Sequence, residues 1–68
     1  MARIKYTDAT GEHAGSLMAW EYYNYAFGAI FEPGERVPYF RWDGTDYEPF
    51  KRAVSVKYKT EVLSAKLV

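Results

Sequence analysis

The chain has 68 residues, of which 49% are hydrophobic and 26% charged, enough apolar material for one folded domain and too little for two. It has no Cys and a single His, which excludes disulfide scaffolds, thiol nucleophiles and zinc sites built on thiolates or on several imidazoles. The net charge is zero, but residues 1–7 and 49–68 together carry +6 and residues 8–48 carry −6.

The first strand is predicted over residues 2–7. Ile4 and Tyr6 alternate there with Arg3 and Lys5, which is the two-residue period of a half-buried strand.

A helix is predicted over residues 17–31, after a glycine-containing loop over residues 8–16. The polar positions of the helical segment repeat at i, i+3, i+7 and i+11 and are Glu21, Asn24, Gly28 and Glu32. We expect Ser16 to cap its start and Pro33-Gly34 to end it. The high content of Tyr, Trp and Phe also fits a strand, and that alternative stays open.

A hairpin is predicted next, from two aromatic segments on either side of an Asp-Gly turn. The arms are residues 39–42 and 47–50, and the turn is residues 43–46. Pro49 has no N–H to donate, so the second arm would be short or lie at a sheet edge. A Glu-Pro-Gly-Glu turn over residues 32–35 precedes this hairpin.

The last predicted strand covers residues 54–62. Its apolar positions, Val54, Val56, Tyr58 and Val62, alternate with Ser and charged residues. After Val62 the apolar residues change parity, which indicates a bulge or the start of a second segment.

Together these elements predict a small α+β domain over residues 1–68, with a strand, a helix and then three or more antiparallel strands. If residues 17–31 are extended, the alternative is an all-β, SH3-like small barrel. So short a chain without staples must pack very well or associate. Because the rings of the predicted helix point around most of its circumference, we expect a second copy to cover some of them. The residues assigned to self-association are Trp20, Tyr22, Tyr23, Tyr25 and Phe27.

A basic face is the next candidate for recognition. If the strands over residues 2–7 and 54–62 pair, their polar sides combine into one surface. It would consist of Arg3, Lys5, Lys57 and Lys59. Such a face suits phosphate, nucleic acid, an acidic protein or the acidic middle of a second copy, and equally a solvated edge that Lys protects from aggregation.

The hairpin is the main candidate for partner or ligand binding. It interleaves rings with cations, a composition found both in interface hot spots and in platforms for base stacking. The residues predicted to bind are Tyr39, Arg41, Trp42, Tyr47, Lys51 and Arg52.

No catalytic constellation is visible. Histidine is a common general acid or base, but the loop around His13 supplies no evident nucleophile and lacks the spacing of a P-loop. No acidic spacing matches a known calcium loop, and Asp43 is explained by its turn. We therefore expect no catalytic residue, no metal and no cofactor, and a small enzyme that uses His13 is kept as a third hypothesis.

The sequence thus predicts a small non-catalytic binding protein that self-associates and acts stoichiometrically on a protein partner. The alternative is a binder of nucleotides or single-stranded nucleic acid, through ring stacking and the basic face. Without an apolar run of membrane-spanning length or a signal peptide, we expect a cytoplasmic protein with no membrane partner. Compact inhibitors encoded by viruses or mobile elements fit the description by analogy alone.

Overall fold

A computed structural model of the chain describes residues 1–40, 42 and 44–68. The elements in these residues are β1 (Ala2–Asp8), β2 (Gly11–Leu17), α1 (Ala19–Phe27), α2 (Tyr47–Tyr58) and β3 (Ser64–Leu67). The strands form one antiparallel sheet in the order β2-β1-β3. The chain is therefore an α+β domain, as predicted, and not an all-β barrel, but two strands precede the helices and one follows them.

β1 confirms the predicted N-terminal strand, whereas the loop predicted over residues 8–16 is wrong for most of its length. Asp8 pairs with Gly11, so Ala9 and Thr10 form a two-residue turn and β2 runs back along β1. Asp8 Oδ1 accepts a hydrogen bond of 2.8 Å from the Thr10 N–H, and Gly11 has a φ of 116°. Asp at the first position and Gly at the fourth are the residues that a type I turn favours. We missed this turn signal because the glycines of residues 8–16 led us to predict a loop over the whole segment.

Gly15 lies inside β2 at a point where another element comes very close. A Cβ atom on Gly15 would lie 2.5 Å from the hydroxyl oxygen of Tyr58, which belongs to α2. The Tyr58 ring also stacks on Tyr6 of β1, with 4.8 Å between the ring centroids. A glycine that weakens a strand by propensity here makes room for an aromatic ring.

α1 confirms the helix predicted within residues 17–31, but both of its ends differ from the prediction. It begins after Met18 and not after Ser16, because the chain before Met18 is still paired in β2. The Glu21 carboxylate accepts the Met18 N–H at 2.8 Å. The helix ends at Gly28, which has a φ of 70° and stops it well before the Pro-Gly pair.

The hairpin predicted over residues 39–50 is wrong, because its second arm is the first turn of α2. Pro49 is the third residue of that helix. The first N–H groups of a helix have no acceptor within it, so Pro costs little there. Residues 39, 40 and 42 carry no strand, and Arg41 and Asp43 lie outside the described residues.

The strand predicted over residues 54–62 is also wrong, because its first half belongs to α2. The deciding pattern starts before this window, since Phe50, Ala53 and Val54 have the helical spacing i, i+3 and i+4 and are all fully buried. Val56, which strand alternation would place on the same side as Val54, is 48% exposed.

The chain after α2 confirms that a second segment starts beyond Val62. Lys59 ends the helix in the left-handed conformation, with a φ of 53°. Val62 is buried, and β3 then pairs with β1. The two ends of the chain are thus neighbours in the sheet, through β3 and not through the segment that we predicted.

α2 packs on one face of the sheet and α1 packs against α2, while the described residues leave the other face bare. Along β1, Ile4 and Tyr6 are buried beneath the helices, whereas Arg3 and Lys5 are exposed on the opposite side. The core between sheet and helices consists of Ile4, Tyr6, Leu17, Tyr22, Ala26, Phe50, Ala53, Val54, Val62 and Ala65.

α2 carries a tyrosine at each end, and each hydroxyl reaches an outer strand. The Tyr58 hydroxyl accepts the Ser16 N–H at 2.8 Å and donates to the Ser16 carbonyl at 3.1 Å. The Tyr47 hydroxyl accepts the Ala65 N–H at 3.2 Å. Ser16 lies on β2 and Ala65 on β3, so one helix occupies backbone groups on both edges of the sheet.

Candidate functional site

An exposed apolar surface lies at the C-terminal end of α1. Its most exposed side chains are Phe27 at 56%, Ile30 at 91% and Tyr39 at 85%. With Tyr23 and Phe31 they form what we name the aromatic patch. The Tyr23 ring lies 6.1 Å from Phe27 and 6.4 Å from Phe31, and its hydroxyl donates to the Tyr39 carbonyl at 3.2 Å. Isolated exposed apolar residues are ordinary, whereas several of them near the end of one helix make this surface a candidate for binding.

The backbone that carries Ile30 is held in place by Asn24. The Gly28 N–H donates to the Asn24 carbonyl at 2.9 Å, which closes the end of α1. The Asn24 side-chain amide then makes two hydrogen bonds to the Phe31 backbone, donating to its carbonyl at 2.7 Å and accepting its N–H at 2.8 Å. Ile30 is therefore displayed on a loop of fixed shape, which loses little conformational entropy on binding.

The rings that we predicted to bind a partner divide into one exposed ring and two half-buried ones. Trp42 stacks on Phe50 with 4.5 Å between centroids, and Tyr47 packs against Trp42 at 5.8 Å. The buried Trp42 Nε1 finds no hydrogen-bond partner among the described residues. Tyr39 is by contrast almost fully exposed, and it belongs to the aromatic patch.

Of the cations of the same predicted site, Lys51 lies against one of these rings. Lys51 pairs with Glu48 at 3.5 Å and lies 5.4 Å from the centroid of the Tyr47 ring. Arg52 is exposed on α2, and Arg41 lies outside the described residues. The structure thus brings Trp42, Tyr47 and Lys51 together as packing at the start of α2.

The residues assigned to self-association also divide. Tyr22 is 6% exposed and belongs to the core of its own chain, so its ring is covered without a second copy. Burial is the main reason that the pKa of Tyr22 is raised, and the negative charge of Asp46 raises it further. Trp20, Tyr23 and Tyr25 are half-buried, and Phe27 is exposed. Self-association itself stays a prediction.

The basic face is present for Arg3 and Lys5 and wrong for Lys57 and Lys59. The last two belong to α2 and its cap, because residues 54–58 are helical. Lys66 of β3 takes their place, directly opposite Lys5. The bare face consists of Arg3, Lys5, Thr7, Glu12, Ala14, Ser16, Ser64 and Lys66.

Lys57 instead joins three elements through hydrogen bonds. Its amine donates to the Ser16 carbonyl at 2.6 Å and to the Glu21 carboxylate at 2.8 Å. Only 9% of the Glu21 side chain is exposed, and 20% of that of Lys57. The ion pair therefore ties α2 to β2 and to the first turn of α1.

His13 lies in a polar cluster at the β1–β2 turn. Its ring stacks on Tyr6 at 5.2 Å, and its Nε2 lies 2.7 Å from the Thr10 hydroxyl and 3.0 Å from Asp8 Oδ1. In a hydroxyl–His–Asp relay the hydroxyl and the carboxylate engage opposite ring nitrogens. Here both lie at the same nitrogen, so the arrangement differs from such a relay and joins His13 to the β1–β2 turn.

Asp8 is the acceptor at the centre of this cluster. Oδ1 accepts the Thr10 hydroxyl at 2.6 Å and the Thr10 N–H, and Oδ2 accepts the Thr60 hydroxyl at 2.9 Å. These hydrogen bonds, that of the Thr10 hydroxyl first, hold the pKa of Asp8 well below its usual range. The carboxylate thereby links the β1–β2 turn to the segment that follows α2.

Within residues 1–40, 42 and 44–68, no three His, Asp or Glu side chains are grouped so that they could hold a metal ion. The helices in the described part of the chain are too short or too polar to cross a bilayer. No family model, curated protein or solved structure matches the chain.

The sequence pattern placed Ile30 inside the predicted helix and did not point to the role of Asn24. Asn24 looked like one position of a polar helix stripe. Its signal is its place four residues before a glycine that ends the helix, from where an amide can bond the chain that follows. Ile30 is beyond the helix end, and sequence alone does not tell an exposed isoleucine from a buried one.

Proposed function

We propose that the protein is a small non-catalytic binding protein that recognises a protein partner through the aromatic patch and also associates with itself. The observation that carries the proposal is Ile30, 91% exposed on a loop that the Asn24 amide fixes with two hydrogen bonds. Apolar anchors on preorganised segments are typical of interface hot spots.

The distribution of rings and cations favours a protein partner over nucleic acid. Binding of single strands needs stacking rings beside a cationic track. The cations Arg3, Lys5 and Lys66 lie on the bare face, whose strand side chains include no ring, although Tyr58 of α2 lines a cavity beside Arg3 and Lys5. The five residues of the aromatic patch include no cation. Because the patch and the cations of the bare face lie on different surfaces within the described residues, this distribution disfavours a stacking platform.

The His13 cluster supports a non-catalytic role. Thr10 and Asp8 both contact the same ring nitrogen, Nε2, and not opposite nitrogens as in a relay. The hydroxyls of Thr10 and Thr60 donate to the Asp8 carboxylate. These contacts are explained if the cluster stabilises the β1–β2 turn.

The test is affinity purification from cells of the natural host with two variants matched in exposure. Phe27→Ser/Ile30→Ser changes the aromatic patch, and Val56→Ser/Leu63→Ser changes apolar residues that are 48% and 57% exposed elsewhere. We expect a protein that co-purifies stoichiometrically with the wild type and with the second variant. Its recovery should fall at least about tenfold with the first, as for loss of a hot spot.

Thermal unfolding monitors the fold of both variants, since all four side chains are exposed and their loss should leave the core intact. A stoichiometric partner that is retained equally by both variants would contradict recognition through the patch.

A further inference from the structure

The bare face of the sheet concentrates positive charge. Lys5 lies directly opposite Lys66, and Arg3 is two residues away on the same side of β1. The Glu12 carboxylate lies 3.9 Å from the Lys5 amine. Arg3 and Lys66 form no ion pair with a described residue. Since like charges directly opposed across a sheet destabilise it, an acidic occupant would relieve this face.

A groove on the same face indicates that an occupant also needs an apolar part. It is an open cavity of about 530 Å³. It is lined by the cations Arg3 and Lys5 and by a mainly apolar set of residues, which are Met1, Ile4, Ala14, Gly15, Ser16, Tyr58 and Val68. An occupant of matching chemistry therefore has carboxylates close to an apolar side chain.

The chain itself carries a segment of that chemistry. The turn predicted over residues 32–35 is confirmed, since the Glu35 N–H donates to the Glu32 carbonyl at 3.0 Å and Gly34 has a φ of 88°. Both glutamates are exposed. Ile30, nearly fully exposed, lies two residues before the first of them.

The spacing of the two glutamates on the turn also matches the spacing of the two cations on the strand. The first and fourth Cα atoms of a β-turn lie within about 7 Å, which sets the distance between Glu32 and Glu35. Residues two apart on a strand are separated by about 7 Å, which sets the distance between Arg3 and Lys5. Two carboxylates on the turn can therefore face two cations on the strand at the same time.

We propose that a second copy of this chain occupies the bare face, with its Glu32 and Glu35 on Arg3 and Lys5 and its Ile30 in the groove. The zero net charge of the chain means that two copies do not repel one another as whole molecules. The proposal rests on the proposed self-association. Because Ile30 also belongs to the aromatic patch, self-association and partner binding exclude each other.

Charge exchange tests the contact without touching the patch. One variant, Arg3→Glu/Lys5→Glu, makes the face acidic, and the other, Glu32→Lys/Glu35→Lys, makes the turn basic. In each variant alone, face and turn carry the same sign, so we expect the self-association constant to fall at least about tenfold. In a one-to-one mixture the acidic face meets the basic turn and the unchanged face meets the unchanged turn. We expect native mass spectrometry of the mixture to show the heterodimer.

The matched control is Arg52→Glu/Lys59→Glu, which reverses two exposed cations away from the bare face and should self-associate like the wild type. Added sodium chloride should weaken the wild-type complex, since exposed charges are screened. A wild type that self-associates but is unaffected by either reversal would overturn this contact and leave the proposed self-association standing. A wild type that is monomeric at low salt would overturn both. If that monomer bound an oligothymidylate through Arg3 and Lys5, the face would belong to nucleic acid.

Discussion

Asp8 shows how much of the β1–β2 turn depends on one side chain. It accepts two hydrogen bonds from Thr10 and one from Thr60, and it contacts His13, while remaining 9% exposed. Only the ionised carboxylate can accept from all of these groups at once. The stability of the turn is therefore coupled to the protonation state of Asp8.

This coupling predicts a specific dependence on pH. Because the pKa of Asp8 is lower in the folded chain than the value of about 3.9 expected after unfolding, its stabilisation is fully present above about pH 5. It is lost as the pH falls toward the folded-state pKa. Asp8→Asn should therefore lower the urea midpoint near neutral pH and flatten the decline in stability on acidification. Glu61→Gln, at an exposed position, is the control, and parallel acid curves for wild type and Asp8→Asn would contradict this role.

At the scale of elements, α2 is where sequence periodicity was most misleading. Val54, Val56 and Tyr58 alternate as in a strand, but Phe50, Ala53 and Val54 form the stripe that is buried. Alternation over so short a window also arises when one apolar residue of a helix points to solvent, as Val56 does. The helical pattern became visible only with residues that we had assigned to a hairpin.

A pair of substitutions distinguishes the helix from the strand in solution. In the helix Val54 is fully buried, so Val54→Ala should lower the free energy of unfolding by about 2 kcal/mol through lost burial and a cavity. Val56→Ala should change it by less than about 0.5 kcal/mol, because that side chain is half exposed and Ala favours a helix. Urea denaturation measures both. Equal losses would indicate that both valines face the core, as in a strand.

The predictable part of the fold is the part that local patterns determine. The alternation in β1 and the Pro-Gly turn before Glu35 each lie within a few residues, and both are confirmed. The helix is confirmed as well, although of its predicted polar stripe only Glu21 and Asn24 lie within α1, and Glu21 is buried. β2 was missed because Gly15, which is unusual inside a strand, is required there by the close approach of Tyr58, far along the chain. The same limit applies to the candidate site, where the cations Arg3 and Lys5 were indicated by strand parity. Their partner Lys66 depended on a register that only the folded sheet supplies.

For the whole molecule, α2 determines how the sheet ends. A three-stranded sheet has two edges on which another chain can add as a strand. Here the hydroxyls of Tyr58 and Tyr47 bond to backbone groups of β2 and β3. The protection of these edges thus explains two of the seven tyrosines in the chain.

Removing these hydroxyls should open the edges. Tyr58→Phe should cost about 1–2 kcal/mol of folding stability, because the Ser16 N–H loses its acceptor, and Tyr47→Phe about half as much, since it makes one longer hydrogen bond. The double variant should form thioflavin-positive aggregates faster than either single variant. Tyr39→Phe is the control, because that side chain is 85% exposed and lies away from the edges. Aggregation of the double variant at the control rate would show that the edges are protected by other means.

The approach of Tyr58 to Gly15 also bears on how sequences with this fold can diverge. Any side chain at position 15 would collide with the ring, unless position 58 held a smaller residue. The two positions are therefore expected to change together in related chains, glycine beside a large ring in some and a larger residue beside a small one in others. Such a coupled pair would identify distant relatives that share this helix-on-sheet contact after their remaining sequence similarity has faded.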